Sequence, residues 1–389
     1  MKKYLYRFIP NRFSYLLLDK KIKYKEHNLK TDYIINIIHE FLMKYFFSSD
    51  INSLNINLWS LILRKKYGMF YNYYIEYLIE KKFITLISDY FVSKKSKTYK
   101  VNYFDIKDLK RVKIYDNILL NKYNKNYLLK NIDNTNNIIN ENIKKYLIND
   151  LYKTTINYDD SINYLNNLKK EKIIDNNKYY KNLISINSIK DGHRFFSFDI
   201  YGRFHSNFTI LKKNIRQQYL KINNEITCEI DIKNSQPFFL TVLMKQYKAD
   251  WLELKDVEKY FFVVQNGLIY DDIISNISYV KTKKEAKIFI YKVLFGNNNN
   301  YLSKDFEKLY PNVFLFIKNF KKNKKDYKSM SHELQRIESN FIFNIVINKI
   351  KKINKNIIII TIHDSIVFQC KYKNIITKIF NEELIKLKN

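Results

Sequence analysis

The sequence of 389 residues contains little glycine, proline or cysteine, with 5 Gly, 3 Pro and 2 Cys. Such scarcity of Gly and Pro hides any linker between domains, and two cysteines exclude a zinc ligand set and a dense disulfide framework. The sequence also lacks an apolar run of about 18 residues and a lipidation motif, so we expect no membrane association.

The N-terminus is basic but has no continuous hydrophobic stretch, because Arg7, Pro10 and Arg12 interrupt it. This pattern excludes a secretory signal. No acidic residue precedes Asp19, which leaves a mitochondrial transit peptide open, although the scarcity of Ser argues against one.

The two cysteines, Cys228 and Cys370, each fall inside a predicted strand. We therefore predict two buried, reduced thiols. That prediction places the protein inside a cell, in a reducing compartment such as the cytoplasm or an organelle matrix.

Acidic residues are also in short supply, with 38 Asp and Glu against 69 Lys and Arg, giving a net charge of +31. A positive field of this size favours a nucleic-acid partner and a binding affinity that falls with salt. An AT-rich genome also encodes much Lys, Asn, Ile and Tyr. Charge alone therefore does not separate a nucleic-acid enzyme from a nucleic-acid-binding protein, a basic membrane-surface protein or codon bias.

One carboxylate is predicted at the end of a strand. Asp231 follows the β-branched run 226–230, and Asn234, Ser235 and Pro237 then supply the cap and first turn of a helix. An Asp at such a position is most often a turn former. Its neighbours along the chain give it a second interpretation.

A second carboxylate, Asp364, lies between two strand-like runs, 356–362 and 365–370, with no Gly or Pro between them. We predict a hairpin with Asp364 at its tip. Nucleotidyl transfer uses two divalent cations about 3.5–4 Å apart, which require converging acidic oxygens. Asp231 and Asp364 are the two candidate metal ligands.

Between these carboxylates, residues 280–296 predict a helix that begins at the Thr282 cap and stops at Gly296. Steps of four residues place two cations and then two aromatic rings along one stripe. Its members are Lys283, Lys287, Tyr291 and Phe295. Lysine suits phosphate oxygens, and an aromatic ring can support a base or sugar, although a solvated basic face over core aromatics would give the same pattern.

In this order, the three segments resemble motifs A, B and C of family A DNA polymerases and the related single-subunit, phage-type RNA polymerases. The segment 201–206, Tyr-Gly-Arg-Phe-His-Ser, resembles the Gly-Arg-x-x-Ser stretch that precedes motif A. The resemblance implies an α+β (mixed) fold with the polymerase right-hand architecture. That architecture has an antiparallel-sheet palm and helical fingers, here joined to a largely helical N-terminal region.

The resemblance also implies residue roles. Asp231 and Asp364 would hold two Mg²⁺ ions, and Lys287, with Lys283 beside it, would grip the triphosphate. Tyr291 and Phe295 would occupy the aromatic positions of the fingers helix. The residues implied to touch the primer–template are Arg203, His363 and Gln335.

Four positions depart from the common pattern. Lys283 stands where the family usually has Arg, so the charge remains without the planar bidentate fork. Ser365 follows the second carboxylate, as in the RNA polymerases. Against that, Gln236 is bulky enough to block a 2′ hydroxyl, and Phe295 lacks the hydroxyl with which the RNA enzymes help to choose ribose. Together these positions favour deoxynucleotides, and the form Asp-Ile-Lys-Asn-Ser-Gln-Pro resembles a divergent mobile-element and phage-like branch.

The predicted domains are a mostly helical N-terminal region, 1–190, and a polymerase domain, 191–389. Within the latter, the palm covers about 191–247 and 344–389, and the fingers cover about 248–343. In the N-terminal region, hydrophobic periodicity predicts helices over 31–47 and 140–152 and a strand near 83–92. This region is either a thumb or a structural or partner-binding domain, and it carries no motif that we can interpret.

We therefore expect a template-directed DNA polymerase that uses Mg²⁺, dNTPs and a DNA primer–template, with replication proteins left open as further partners. No Asp-x-Glu pair suited to an exonuclease precedes the polymerase region, so no proofreading is expected. Two alternatives remain. One is a compact single-subunit RNA polymerase or primase-like enzyme, and the other is a catalytically inactive, polymerase-derived nucleic-acid-binding protein.

Overall fold

A computed structural model describes residues 4–47, 55–58, 60–90, 96–102, 108–122, 139–194, 196–247 and 253–388. The chain forms two compact units, the first from Met1–Ile132 and Ile162–Asn187, and the second from Asp133–Ser161 and Ser188–Asn389. The fold is mixed α+β, and the strand pairs within the described residues are antiparallel.

The first unit contains small sheets with helices around one hydrophobic core. Its strands are β1 (Leu5–Pro10), β2 (Lys21–Tyr24), β3 (His27–Lys30), β4 (Asn55–Leu58), β5 (Ile84–Ser88), β6 (Lys97–Val101) and β7 (Leu109–Ile114). Its helices are α1 (Thr31–Phe47), α2 (Ser60–Tyr67) and α3 (Tyr71–Glu80), with a 3₁₀ segment at Asn11–Leu17. Strand β1 pairs with β7, β2 with β3, and β6 lies between β4 and β5.

Helix α1 supplies much of the core of the first unit. Ile34, Ile38 and Leu42 are each 0 % exposed and recur every four residues, so they lie on one face of the helix. Leu5 and Ile9 of β1 are also 0 % exposed and belong to the same core. Burial of this apolar stripe explains why the segment is a helix despite its β-branched residues.

Three helices join the two units in sequence or open the second one. They are α4 (Glu141–Tyr152), α5 (Tyr158–Lys170) and α6 (Asn176–Lys190), of which α5 and α6 have residues in both units. The strands of the second unit are β8 (Thr154–Ile156), β9 (Phe196–Phe198), β10 (Phe204–Ser206), β11 (Leu220–Ile222), β12 (Glu225–Asp231), β13 (Ile359–Ile362) and β14 (Ser365–Gln369).

Helices make up most of the remaining second unit. They are α7 (Asn207–Ile210), α8 (Lys213–Tyr219), α9 (Ser235–Gln246), α10 (Lys255–Gln265), α11 (Ile269–Asn276), α12 (Lys283–Phe295), α13 (Tyr301–Leu309), α14 (Pro311–Asn323), α15 (Ser329–Ser339), α16 (Asn348–Ile353) and α17 (Lys373–Lys388). A π-helical segment, Asn340–Ile347, connects α15 to α16, and a short 3₁₀ segment, Cys370–Tyr372, follows β14.

A five-stranded sheet with the order β13-β14-β12-β11-β8 organises the second unit. Asn223 and Asn224 join β11 to β12, and both have positive φ, as a type I′ hairpin turn requires. All residues of β13 and β14 are buried, whereas β12 is partly exposed and ends at the exposed Asp231. The sheet therefore fixes the backbone on both sides of the candidate site.

A buried ion pair fixes β13 to two helices. Lys351 of α16 and Asp150 of α4 lie 2.6 Å apart, and each side chain is 3 % exposed. The Lys351 ammonium also donates to the Ile357 carbonyl, and the Asp150 carboxylate accepts from the Ile359 amide. These bonds satisfy both charges where the strand begins.

Several elements predicted from the sequence are confirmed. Helix α1 has the predicted bounds 31–47, and α4 follows an Asn140 cap whose side chain accepts from the Asn142 amide. The strand predicted near 83–92 is present as β5, while residues 91–95 lie outside the described part of the chain. Helical residues outnumber strand residues in the described part of 1–190, but β1–β4 and β6–β8 were not predicted, because such short strands rich in Lys, Asn and Tyr show little alternation.

The prediction of two reduced thiols is wrong, since Cys228 and Cys370 form a disulfide. Cys228 pairs with Phe368 across β12 and β14, which places Cys370 just beyond that pair, and the two Cα atoms lie 4.9 Å apart. Sequence spacing could not reveal this proximity, because 142 residues separate the two. A disulfide is not the usual signature of a reducing compartment, so the expected compartment loses its support.

Among the described helices, none is both long and apolar enough to cross a bilayer.

Candidate active site

The two predicted carboxylates lie beside each other at one edge of the second unit's sheet. Asp231 is the last residue of β12 and pairs with Ser365, the first residue of β14. Because Ile362 also pairs with Ser365, His363 and Asp364 form a two-residue hairpin turn between β13 and β14. The strand end and hairpin tip predicted from the sequence are therefore confirmed, and Asp364 is adjacent to the residue opposite Asp231.

The electrostatics of Asp231 reflect this arrangement. Burial and then the negative charge of Asp364 raise the pKa of Asp231 from 3.8 to about 6, and Glu229 adds to the effect. The positive charges of Lys213 and Lys287 oppose it. Lys213, at the start of α8, lies 3.7 Å from the Asp231 carboxylate and has a side chain that is 55 % exposed. Two carboxylates are thus held together at a cost that a cation would relieve.

Helix α12 presents the predicted stripe next to these carboxylates. It begins with a capping box, in which Thr282 accepts from the Glu285 amide and Glu285 accepts from the Thr282 amide. The Lys287 ammonium lies 5.3 Å from the centre of the Tyr291 ring, and that ring lies 5.2 Å from the Phe295 ring. A cation and two rings therefore form a continuous line along one side of the helix.

The end of α12 is also fixed. Gly296 follows the helix, and a Cβ at this position would collide with the Lys292 carbonyl. The buried Lys321 ammonium donates to the carbonyls of Val293 and Gly296 and to the Asn298 side chain. The Lys321 amine is strongly desolvated, and this burial lowers its pKa to about 8.

Lys283, the first residue of the stripe, has a different partner. Its ammonium lies 3.0 Å from the Asp271 carboxylate of α11, and its side chain is 69 % exposed. An exposed pair of this kind contributes little to stability and can exchange for a stronger anion.

A buried cluster lies near the two carboxylates. Arg203 donates two hydrogen bonds, of 3.0 and 2.7 Å, to one oxygen of Glu338, and Gln236 donates a 2.5 Å bond to the other. The Glu338 side chain is 1 % exposed, and Gln236 is 4 % exposed. Burial and the charge of Asp364 raise the pKa of Glu338 to about 7, against the opposing effect of Arg203.

The hairpin turn gives His363 its position. His363 has a φ of 54°, and its ring lies 5.6 Å from the ring of His205. Desolvation and the positive charges of Arg203 and His205 lower the pKa of His363 to about 4, so the ring is neutral at pH 7. The Nε2 atom of His205 lies 3.0 Å from the Asp199 carboxylate.

Gln335 lies on α15, three residues before Glu338, and is partly buried. In the portion of the chain that the structure covers, it makes no direct hydrogen bond to the other predicted residues. The structure thus brings Asp231, Asp364 and the α12 stripe together with Arg203 and Gln236, while the role of Gln335 stays a prediction.

Some residues of this site escaped sequence analysis. Tyr270 of α11 lies near Asp364, whose charge, after burial, raises the pKa of this phenol to about 12. Glu229 accepts from Ser365 and Arg216 at 3.1 and 3.3 Å. Among the residues that sequence analysis missed, only Glu338 could have been found from the sequence, because it lies one helical turn after the predicted residue Gln335.

Asp231 and Asp364 suit a hard divalent cation whose other ligands are water and substrate oxygens. Within the described ranges, no group of three or more His, Cys, Asp or Glu side chains could hold a metal ion by itself. Mg²⁺ is commonly bound by one or two carboxylates, with water and substrate phosphates completing its shell. Asp231 and Asp364 would provide such a pair, and the charge of Lys287 acts on Asp231 beside it.

Comparison with protein-family models and with curated proteins found no match to this chain.

Proposed function

We propose that the protein is a template-directed DNA polymerase of the family A type, from a divergent mobile-element or phage-like branch. The observation that carries this proposal is the convergence of Asp231, Asp364 and Lys287. Desolvation and the charge of Asp364, in the turn between β13 and β14, raise the pKa of Asp231, and the Lys287 charge acts on that same carboxylate. A nucleotidyl-transfer site needs this combination of acidic oxygens and a phosphate-binding cation.

In this proposal the second unit is the catalytic right hand. The sheet that carries β12, β13 and β14 would be the palm, and α12 would be the central helix of the fingers. Bound Mg²⁺ would activate the primer 3′ hydroxyl and stabilise the leaving pyrophosphate. Asp231 and Asp364 would hold the ions.

The remaining residues would bind and orient the substrates. Lys287 would bind the triphosphate, and Lys283 could turn to it from its exposed pair with Asp271. Tyr291 and Phe295 would support the base and sugar of the incoming nucleotide. Such positioning and charge stabilisation provide most of the rate in phosphoryl transfer.

Arg203, His363 and Gln335 would contact the primer–template. The neutral ring of His363 can accept or donate a hydrogen bond without adding charge beside Asp364. The net charge of +31 supports a polyanionic partner. We expect no proofreading site, so other enzymes would remove errors, and replication proteins are natural further partners.

The second candidate is a compact RNA polymerase or primase-like enzyme. Ser365 favours it, because Ser follows the second carboxylate in the RNA polymerases. Gln236 opposes it, since its buried side chain occupies the position where a small residue admits the ribose hydroxyl. Nucleotide preference separates the two candidates.

Primer extension on a DNA template with Mg²⁺, offering dNTPs or rNTPs separately, tests the proposal. We expect extension with dNTPs, and a loss of about 100-fold or more in Asp364→Asn, since the lost charge stabilisation corresponds to several kcal/mol. Extension only with rNTPs would support the second candidate. No synthesis with either, while salt-sensitive DNA binding persists, would support an inactive nucleic-acid-binding protein.

Lys287→Ala sharpens the test, with Lys284→Ala as its control. Both lysines are exposed on α12 and carry the same charge, but Lys287 belongs to the predicted stripe and its charge acts on Asp231. We expect Lys287→Ala to raise the KM for dNTPs about 10- to 100-fold, whereas Lys284→Ala leaves it nearly unchanged. Equal effects would mean that general charge, not a nucleotide site, explains the lysine.

A further inference from the structure

Glu338 is the most deeply buried acid around the candidate site, and both of its oxygens are engaged. One oxygen accepts two bonds from the Arg203 guanidinium, and the other accepts a 2.5 Å bond from Gln236. Three separate segments meet there, since Arg203 precedes β10, Gln236 lies in the first turn of α9, and Glu338 lies near the end of α15.

The bond to Glu338 decides how the Gln236 amide is oriented. A carboxylate accepts hydrogen bonds, so the amide must turn its NH₂ group toward Glu338 and its oxygen away. That oxygen, Oε1, is buried and accepts no hydrogen bond from the residues that the structure describes. Glu338 is the one hydrogen-bond partner of the Gln236 side chain among the described residues. Without Glu338, no hydrogen bond within that part of the chain would fix the orientation of the amide.

The cluster borders the proposed catalytic carboxylates. The charge of Asp364 affects the pKa of Glu338, and the charges of Glu338 and Arg203 both affect the pKa of Tyr291 in α12. The residue that holds Gln236 therefore lies within electrostatic range of both Asp364 and the α12 stripe.

We propose that Glu338 is a positioning residue that sets the sugar specificity of the enzyme, by holding Gln236 where it excludes a ribose 2′ hydroxyl. This inference rests on the proposed function. It extends that function, because it makes the sugar choice depend on Glu338 of α15, which is 102 residues from Gln236 in the sequence.

The test is the ratio of kcat/KM for a dNTP to that for the matching rNTP, in wild type, Glu338→Gln and Glu338→Ala. Glu338→Gln keeps the side-chain volume but replaces one carboxylate oxygen with an NH₂ group. That NH₂ group would face a second hydrogen-bond donor, either the Gln236 NH₂ or the Arg203 guanidinium. A lost hydrogen bond to a charged group corresponds to about a tenfold to 100-fold change. We expect the dNTP preference to fall by about that factor, while Glu333→Gln, at a partly exposed residue of the same helix that pairs with Arg336, leaves it unchanged.

A double variant separates positioning from general damage. In a Gln236→Ala background, Glu338→Gln should not lower the preference further, because the side chain that it positions is gone. Should Glu338→Gln change the ratio equally with and without Gln236, or leave it within about twofold of wild type, the inference is overturned.

Variants that cannot extend a primer are measured by nucleotide binding. The dissociation constants of dATP and ATP for the complex with a chain-terminated primer–template give the same ratio without catalysis, and we expect the same loss of preference. Circular dichroism confirms that each variant compared is folded. If the wild type neither extends a primer nor binds nucleotides, both the proposed function and this inference are refuted. If the wild type prefers dNTPs and Glu338→Gln prefers them equally, only the inference is refuted.

Discussion

Asp231→Asn should make the protein more stable at neutral pH, because the native fold holds this carboxylate close to Asp364. Burial and that neighbouring charge raise its folded-state pKa from 3.8 to about 6. A carboxyl group with a raised folded-state pKa contributes its full stability below about pH 4 and loses it as the pH rises through about 6. Asparagine is neutral throughout and does not lose this contribution.

The magnitude follows from the same pKa. A change from 3.8 to about 6 corresponds to about 3 kcal/mol at 1.36 kcal/mol per pH unit. Solvent screening reduces it to about 1 kcal/mol, since the Asp231 side chain is 47 % exposed. At pH 8 the variant should therefore melt about 2–4 °C above wild type. Differential scanning calorimetry at pH 8 and at pH 4 measures both values.

Asp305→Asn is the control, because its pKa is perturbed in the opposite direction. Hydrogen bonds from Tyr279 and Lys308 lower the pKa of Asp305, so its charge favours the folded state above its ordinary pKa. That variant should not gain stability at pH 8. Equal melting temperatures for Asp231→Asn and wild type at pH 8, or the same gain at pH 4 as at pH 8, would refute the electrostatic account of the site.

The other predictions concern the second unit and its ions. Lys351→Met should lower the free energy of unfolding by about 3–5 kcal/mol in urea titrations, because it leaves Asp150 buried and charged; a change under about 1 kcal/mol would contradict this. Dithiothreitol should lower the melting temperature by an amount equivalent to about 2–4 kcal/mol, because the Cys228–Cys370 bond closes a long loop, and a variant with both residues changed to Ser should not respond. Mg²⁺ at about 100 times its dissociation constant should stabilise wild type by about 2.7 kcal/mol but leave Asp364→Asn nearly unaffected; equal stabilisation of both would place the ion elsewhere.

Sequence patterns predicted the local parts of the site well. The β-branched run before Asp231, the paired runs around Asp364 and the Thr282 cap each have a short-range physical cause, and the structure has a strand end, a hairpin turn and a helix there. The roles of these residues in catalysis remain predictions. Short strands of the first unit were missed, because weakly alternating segments become strands only when a partner and a core are supplied.

The sequence by itself determined which residues carry charge, where α12 begins and ends, and that two carboxylates stand next to strands. Only the tertiary structure decided which distant groups meet, because such contacts depend on how sheets and helices pack and not on spacing along the chain. It joined Cys228 to Cys370, contrary to the sequence prediction, and it gave Glu338 both Arg203 and Gln236 as partners. Burial then raised the pKa of Glu338, a property that depends on desolvation by the fold and that no local pattern encodes.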